Sequence, residues 1–503
     1  MKLTEQQEVI VSWDEDMKIN AVAGSGKTST LVEYARLRPD KRMLYLVFNK
    51  SVKVEAQNKF AKHNIFNVTV ETAHSLAYKE IVLPQQLTCK AGSYKLQEIV
   101  DILKIQDFKR KLDNFMLANH ILKFLAYFCN SPALKIKDVD YKATISSEKA
   151  KGFVTEHYDK IEHYTRKLMA KMHKGFVDIT HDFYLKMFQL SQPKLDYDVI
   201  LFDEGQDASG SILDIFLKQD CTKVIVGDTH QQIYAWRFAV NSLEKVPFKD
   251  FELTASFRFG DAIAELASYT LDMKTKFLPT YVKNVPELFG YGGQSETDSQ
   301  AIISRTNTGL LTEAIRQVSH SNDKIYFEGN IYSYTYATEG TSLYDVLNLQ
   351  QNNKNYIKDP LIKSMDSFAD LEDYVDKVED AQMRSMIKIV LEFGSRLPNL
   401  IKKVKDLQTK DNEKHLAKVV FSTVHKSKGM EYDHVRITDD FLNYYKIKKI
   451  LEKQTLDDNL AIKINEEINS LYVAITRAKK TLTLSRDYVP PFMKLTPEIK
   501  VTL

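Results

Sequence analysis

The sequence predicts an α/β protein of two parallel-sheet units, each interrupted by a mainly helical insertion. Three observations predict it. A glycine-rich loop, AVAGSGKT at 21–28, stands between a strand-like and a helix-like run. Short apolar runs ending in acidic or Gly-Asp sequences recur, as strands buried on both faces do. Two long stretches, 86–195 and 324–418, show helical spacing without sustained strand alternation.

In chain order, 3–11 reads as a helix, 18–22 as a strand and 28–36 as the helix after the glycine loop. A second strand at 43–48, a helix to about 62 and a third strand at 68–72 follow. Strand patterns return at 198–202 and 223–226, then at 301–304, 419–422, 434–438 and 481–485. The expected units are therefore a first lobe of 1–85 and 196–255 around an insertion of 86–195, and a second lobe of 256–323 and 419–503 around an insertion of 324–418.

A chain of 503 residues has room for roughly three or four packing units. Its 44% hydrophobic and 27% charged content exclude a disordered chain and a disulfide scaffold. The net charge of +3 announces no polyanion partner, but 86–195 holds 19 basic against 12 acidic residues. That excess fits either a polyanion-binding face or solvated lysine-rich helices. Cys89, Cys129 and Cys221 are too scattered for a zinc site or a disulfide framework. Acids occupy the place of a signal-peptide core in MKLTEQQEVIVSWDED, and no run of 18 apolar residues occurs. The expectation is a cytoplasmic protein without a membrane span, nucleoid-associated, or nuclear in a eukaryote.

The glycine loop carries chemistry. Gly24, Ser25 and Gly26 let backbone N–H groups approach phosphate, Lys27 reaches the β and γ phosphates, and Thr28 can ligate Mg²⁺. The apolar run VILF delivers Asp203 and Glu204, an acid for the Mg²⁺ side and an acid to orient or deprotonate water. Arg258 and Arg477, both in the second lobe, are candidates to meet the transferring phosphoryl group across a cleft. ATP and Mg²⁺ are the expected cofactors.

The ordered strings LTEQQ, AVAGSGKT, VFNKS, ETAHSLAY, ILFDEGQD, VGDTHQQIYAWRFA, LTASFRF, IISRTN, STVHKSKGMEYDHV and LYVAITRAKK resemble the motifs of superfamily 1 DNA helicases of the UvrD/Rep type, nearly end to end. Their wording is most similar to the helicase region of the F-box DNA helicases, with no F-box expected ahead of Leu3. The resemblance implies two RecA-like P-loop NTPase lobes, ATP-dependent 3′→5′ movement on single-stranded DNA and unwinding of duplex. It implies that Gln7 reads adenine, Phe257 stacks on it, Gln231 senses the γ-phosphate or attacking water, Arg258 and Arg477 clamp the phosphate, and Glu431 meets the ribose. Ser29 stands where relatives often carry an adenine-holding arginine, Gly205 replaces an alanine, and Phe238 replaces a glycine.

For the polynucleotide, the resemblance assigns base stacking to Trp236, with Tyr234 as a second aromatic, support to Arg237, and backbone contact or coupling to Asn49, Thr72, His74, Thr423 and His425. Tyr488 or Phe492 is expected at a strand-separating hairpin. The expected partners are single-stranded DNA, single/double-strand junctions, and recombinase or replication proteins, met by a free monomer in repair, recombination or replication. Two other readings stay open: a translocase that clears recombinase filaments with little unwinding, and an ATP-gated DNA-binding subunit of an antiviral assembly. A small-molecule kinase would leave the aromatic motif without a purpose.

Overall fold

The computed structural model describes residues 3–234, 238–282, 285–292, 298–329, 331, 334 and 341–502. Two six-stranded sheets, every pairing parallel, organise them. The first contains β1 (Met17–Ala21), β2 (Met43–Val47), β3 (Val68–Thr72), β4 (Val199–Phe202), β5 (Thr222–Gly227) and β6 (Lys249–Leu253), in the order β3-β2-β4-β5-β1-β6. Helices α1 (Glu5–Ser12), α2 (Lys27–Arg36) and α3 (Lys50–Lys62) pack on it. Side chains of β2 alternate between two cores, with Met43, Tyr45 and Val47 on one face and Leu44 and Leu46 on the other. A strand apolar at every position needs both faces covered, and here they are.

A two-stranded link, β7 (Ala255–Ser256) with β8 (Phe289–Gly290), leads to the second sheet. That sheet contains β9 (Gln300–Ser304), β10 (Ile325–Phe327), β11 (Val419–Thr423), β12 (Tyr432–Ile437), β13 (Ala478–Ser485) and β14 (Ile499–Thr502), in the order β10-β11-β9-β12-β13-β14. Residues 325–327, read from the sequence as part of the second insertion, are thus an edge strand paired with β11. The architecture is that of two RecA-like lobes, α/β with parallel sheets.

Helices Leu96–Leu103, Lys111–Asn130, Glu148–His173 and His181–Leu190 of the first insertion enclose their own core. Helices of the second insertion, among them Phe368–Val378 and Ala381–Phe393, share a core with one face of the second sheet through Ile302 and Phe421. Leu112, Phe115 and Met116 of the first insertion enter that core, so the two insertions touch. The contact caps helices in both directions. Lys123 donates to the carbonyls of Val378 and Glu379 at the end of Phe368–Val378, and the Glu379 carboxylate accepts the Ser146 and Ser147 amides at the start of Glu148–His173. Among the described residues, no helix is long and apolar enough to cross a membrane.

Candidate functional site

Ligands of open parallel sheets lie beyond the carboxyl ends of the strands. The end of β1 runs into the glycine loop, β4 into Asp203 and Glu204, β5 into Asp228, and β6 through β7 into Phe257 and Arg258. The glycine loop, Asp203, Glu204 and Arg258, together with Gln231, Glu431 and Arg477, border one cleft of about 400 Å³, while Asp228 and Phe257 do not line it.

Gly24 has φ +76°, and a Cβ there would lie 2.6 Å from the Arg258 Cβ, so this turn brings the loop against the second lobe as only glycine can. Gly26, φ +82°, precedes α2, whose free N–H groups face the cleft. The Ser25 hydroxyl is buried without a hydrogen-bond partner among the described residues. Lys27 Nζ lies 4.0 Å from Glu204 Oε1 and donates to the Ala21 carbonyl at 3.4 Å.

Asp203 accepts from Tyr45 OH at 2.5 Å and from the Glu204 amide at 2.9 Å. Burial and the charge of Glu204 raise its pKa. Burial also opposes ionisation of Glu204, but the fields of Lys27 and Lys428 and a hydrogen bond from Gln206 outweigh it and hold that carboxylate below its ordinary range. Of the two acids, Glu204 is the one whose surroundings favour the charged form more strongly. The Thr28 hydroxyl and the two carboxylates are hard oxygen donors suited to Mg²⁺. With the phosphate-cradling loop beside them, these residues fit a magnesium nucleotide.

The facing wall is cationic. Arg258 pairs with Glu431 at 2.7 Å and donates to the Thr476 carbonyl at 2.9 Å. Glu431, expected at a ribose, is therefore engaged by the arginine. Arg477 is 1% exposed and donates to Val473 O, Met430 O and Gln231 Oε1. Among the described residues no carboxylate lies within 4.0 Å of its guanidinium. Burial and the nearby Arg258 weaken its hold on its proton, and an anion in the cleft would reverse that. Gln231 also donates to Asp228 Oδ2 at 2.8 Å, and the Tyr472 hydroxyl reaches the same oxygen at 3.0 Å.

Other expected contacts differ in detail. Gln7 is buried, accepts from the Thr4 amide and donates to Thr30 Oγ1 at 3.1 Å, tying α1 to α2. Gln7 does not itself line the cleft. Phe257 donates its amide to Gly24 O, and its ring stacks on Tyr291, centroids 5.9 Å apart. Ser29 receives Lys59 Nζ at 3.3 Å.

Sequence reasoning missed Lys428, which resembles its neighbours in HKSKG until the fold buries it. It contacts Asp207, lies 3.6 Å from Glu204, donates to the Gln231 carbonyl at 2.8 Å and sits 5.3 Å from the Tyr234 ring. Tyr234 continues this chain of contacts, stacking on Phe48 at 5.8 Å and donating to the His425 carbonyl at 2.9 Å. Asn49 and Thr72 cap helices at the ends of β2 and β3, Thr423 ends β11, and His74 packs on Tyr184 of the first insertion. Trp236 and Arg237 lie outside the described residues. Phe238 takes the left-handed backbone a glycine would favour, φ +60°, and its ring packs on Tyr127 at 5.2 Å. Tyr488 does not meet the expectation of a strand-separating ring: it is 4% exposed and bonded to Phe441 O, whereas Phe492 is 75% exposed.

A buried lysine pins the lobes together. Lys274 of helix Asp261–Phe277 contacts Asn469 Oδ1 and lies 2.8 Å from His230 Nδ1, next to Gln231. Burial lowers its pKa from 10.5 to about 7, against the pull of Asp228 and Glu244. Between these values the unfolded chain holds a proton that the folded one has released, so the contribution of Lys274 to stability rises with pH above about 7. Thermal unfolding should show a gain of at most about 1.4 kcal/mol per pH unit between pH 7 and 9 that Lys274→Met flattens. Parallel slopes in wild type and variant would refute it.

A sequence profile of the UvrD-like helicase C-terminal domain matches residues 40–487. The chain is 31% identical over 519 residues to F-box DNA helicase 1 of Gallus gallus, covering 97% of this chain and 49% of that protein. It is 29% identical over 536 residues to F-box DNA helicase protein 1 of Schizosaccharomyces pombe, covering 96% and 57%. It thus spans about half the length of these curated relatives. With two parallel-sheet lobes bordering one phosphate-loop cleft, and a profile match over most of its length, the chain belongs to the UvrD-like helicase family.

Proposed function

We propose that the chain is an ATP-driven, Mg²⁺-dependent DNA helicase that moves 3′→5′ on single-stranded DNA and opens duplex at junctions, in repair, recombination or replication. The observation that carries this reading is a cleft completed by both lobes: Lys27, Asp203 and Glu204 come from one, and Arg258 and the buried Arg477 from the other. Bound Mg²⁺, held from the Thr28 and Asp203 side, would offset charge on the β and γ phosphates. Glu204 and Gln231 orient the attacking water, while Lys27, Arg258 and Arg477 stabilise the charge that develops on the phosphoryl oxygens. Once that anion leaves, the buried Arg477 charge stands beside the Arg258–Glu431 pair without it, and the cost of that desolvated charge favours an open cleft.

The link to movement runs through Lys428, which touches the acids of the cleft and lies against Tyr234. Tyr234 joins Phe48 of one lobe to His425 of the other, so a change of cleft angle moves the aromatic track. The names of the two relatives support DNA as the polymer.

The test is steady-state ATP hydrolysis with and without a single-stranded oligonucleotide, for wild type, Lys27→Ala and Trp236→Ala. Wild type is expected to be stimulated, Lys27→Ala to be nearly inactive, and Trp236→Ala to bind the oligonucleotide roughly tenfold more weakly, the worth of one stacked base. Equal turnover with and without the oligonucleotide would end the motor reading.

A further inference from the structure

Tyr45 lies at the centre of β2, where a tyrosine ordinarily reads as core. It is fully buried, and its ring rests edge-on against Phe60, centroids 5.5 Å apart. The hydroxyl, however, points into the cleft it helps to line. It donates to Asp203 Oδ2 at 2.5 Å, and the Thr28 side chain lies near enough to the same phenol to favour its charged form. Thr28 follows the phosphate loop and Asp203 follows β4, so nothing local in the chain brings the two together. The phenol of the intervening strand does.

Each oxygen of Asp203 thus has one fixed donor, Tyr45 OH on Oδ2 and the Glu204 amide on Oδ1. A carboxylate held at both oxygens cannot rotate freely toward Lys27 or Lys59, the cations whose fields reach it. One lone pair on each oxygen remains for a metal or its water shell. A phenylalanine would fill the same space and hold nothing.

We propose that Tyr45 is a positioning residue for the metal side of the cleft, its phenol fixing Asp203 and Thr28 in the mutual orientation that Mg²⁺ requires. This rests on the reading of Thr28 and Asp203 as the Mg²⁺ side. Outer-layer hydrogen bonds of this kind set how tightly a metal is held, and losing one costs ten- to a hundredfold in affinity. The Tyr45 hydroxyl is committed to Asp203, so the defect should appear in the dependence on metal and not in nucleotide binding alone.

The experiment titrates a fluorescent methylanthraniloyl ADP into the full chain, in EDTA and across a Mg²⁺ series, for wild type and Tyr45→Phe. The expected result is equal affinity in EDTA and a Mg²⁺ midpoint at least about tenfold higher in the variant. Hydrolysis should shift its Mg²⁺ midpoint by the same factor, with turnover recovering at saturating Mg²⁺. A merely structural tyrosine would lower the melting temperature and leave both midpoints in place, which overturns the proposal. A wild type indifferent to Mg²⁺ would remove the metal reading and this proposal with it; a responsive wild type matched by Tyr45→Phe overturns this proposal alone. Should the variant fold poorly, meta-fluorotyrosine at position 45 keeps the phenol and reports by fluorine NMR. Its resonance is expected to move when Mg²⁺ joins bound ADP, and a resonance blind to Mg²⁺ refutes the proposal.

Discussion

Replacing Glu204 with glutamine is expected to cut ATP turnover about a thousandfold while ATP still binds. Glutamine keeps the shape and one acceptor oxygen but cannot take a proton from water. The site tolerates the change because its cations retain partners. Lys428 keeps Asp207, and Lys27 keeps the Ala21 carbonyl until phosphate arrives. The amide can still accept from Gln206. Binding of a fluorescent ATP analogue should therefore be within a few-fold of wild type, and single-turnover release of phosphate should carry the loss. If the variant turned over within tenfold of wild type, Glu204 would not be the group that handles the water. Asp207, fully buried and pushed up to about 6 by that burial, would be the next candidate.

The sequence made the interior of both sheets legible, with the alternating edge strand β3, and left the other three edges obscure, for a physical reason. Strands β2 and β4 are buried on both sides, so MLYLV and VILF are apolar throughout and carry their own signal. Edge strands β6 and β14 face water along much of their length, and KDFEL and IKVT look like loop. Strand β10 has only three residues, IYF, set in polar sequence, and nothing before folding distinguishes it from a helical turn. Around the cleft, Lys27, Asp203, Glu204, Arg258 and Arg477 stood out because each sits in a string whose spacing carries meaning. Tyr45, Lys428 and Lys274 did not. A tyrosine in a strand and a lysine among lysines acquire roles only when distant elements fix where the polar end points. Tyr488 shows the converse: its place in the chain suggested exposure, and the second lobe buries it.

Arg477→Met is expected to lower hydrolysis at least about a hundredfold and to leave the nucleotide-free protein nearly as stable as wild type, within about 1 kcal/mol. The two halves of this expectation come from one fact, a guanidinium that is buried and has no carboxylate within reach among the described residues. Without a bound anion its charge is a cost, offset by hydrogen bonds to Val473, Met430 and Gln231. Methionine removes the desolvated charge together with those bonds, and the terms largely cancel. With a triphosphate bound, the same charge becomes part of the second lobe's grip on the anion, and Arg258, which also holds Glu431, does not supply that grip alone. A non-hydrolysable ATP analogue should therefore raise the melting temperature of wild type well above that of Arg477→Met at equal concentration, since stabilisation follows occupancy of the folded state. Arg477→Lys should fail in hydrolysis as well, because an ammonium cannot reach Gln231 and the phosphate in one planar fork. A methionine variant that melts many degrees lower without nucleotide, yet hydrolyses ATP normally, would make Arg477 a structural brace and deprive the closing cleft of its second-lobe clamp.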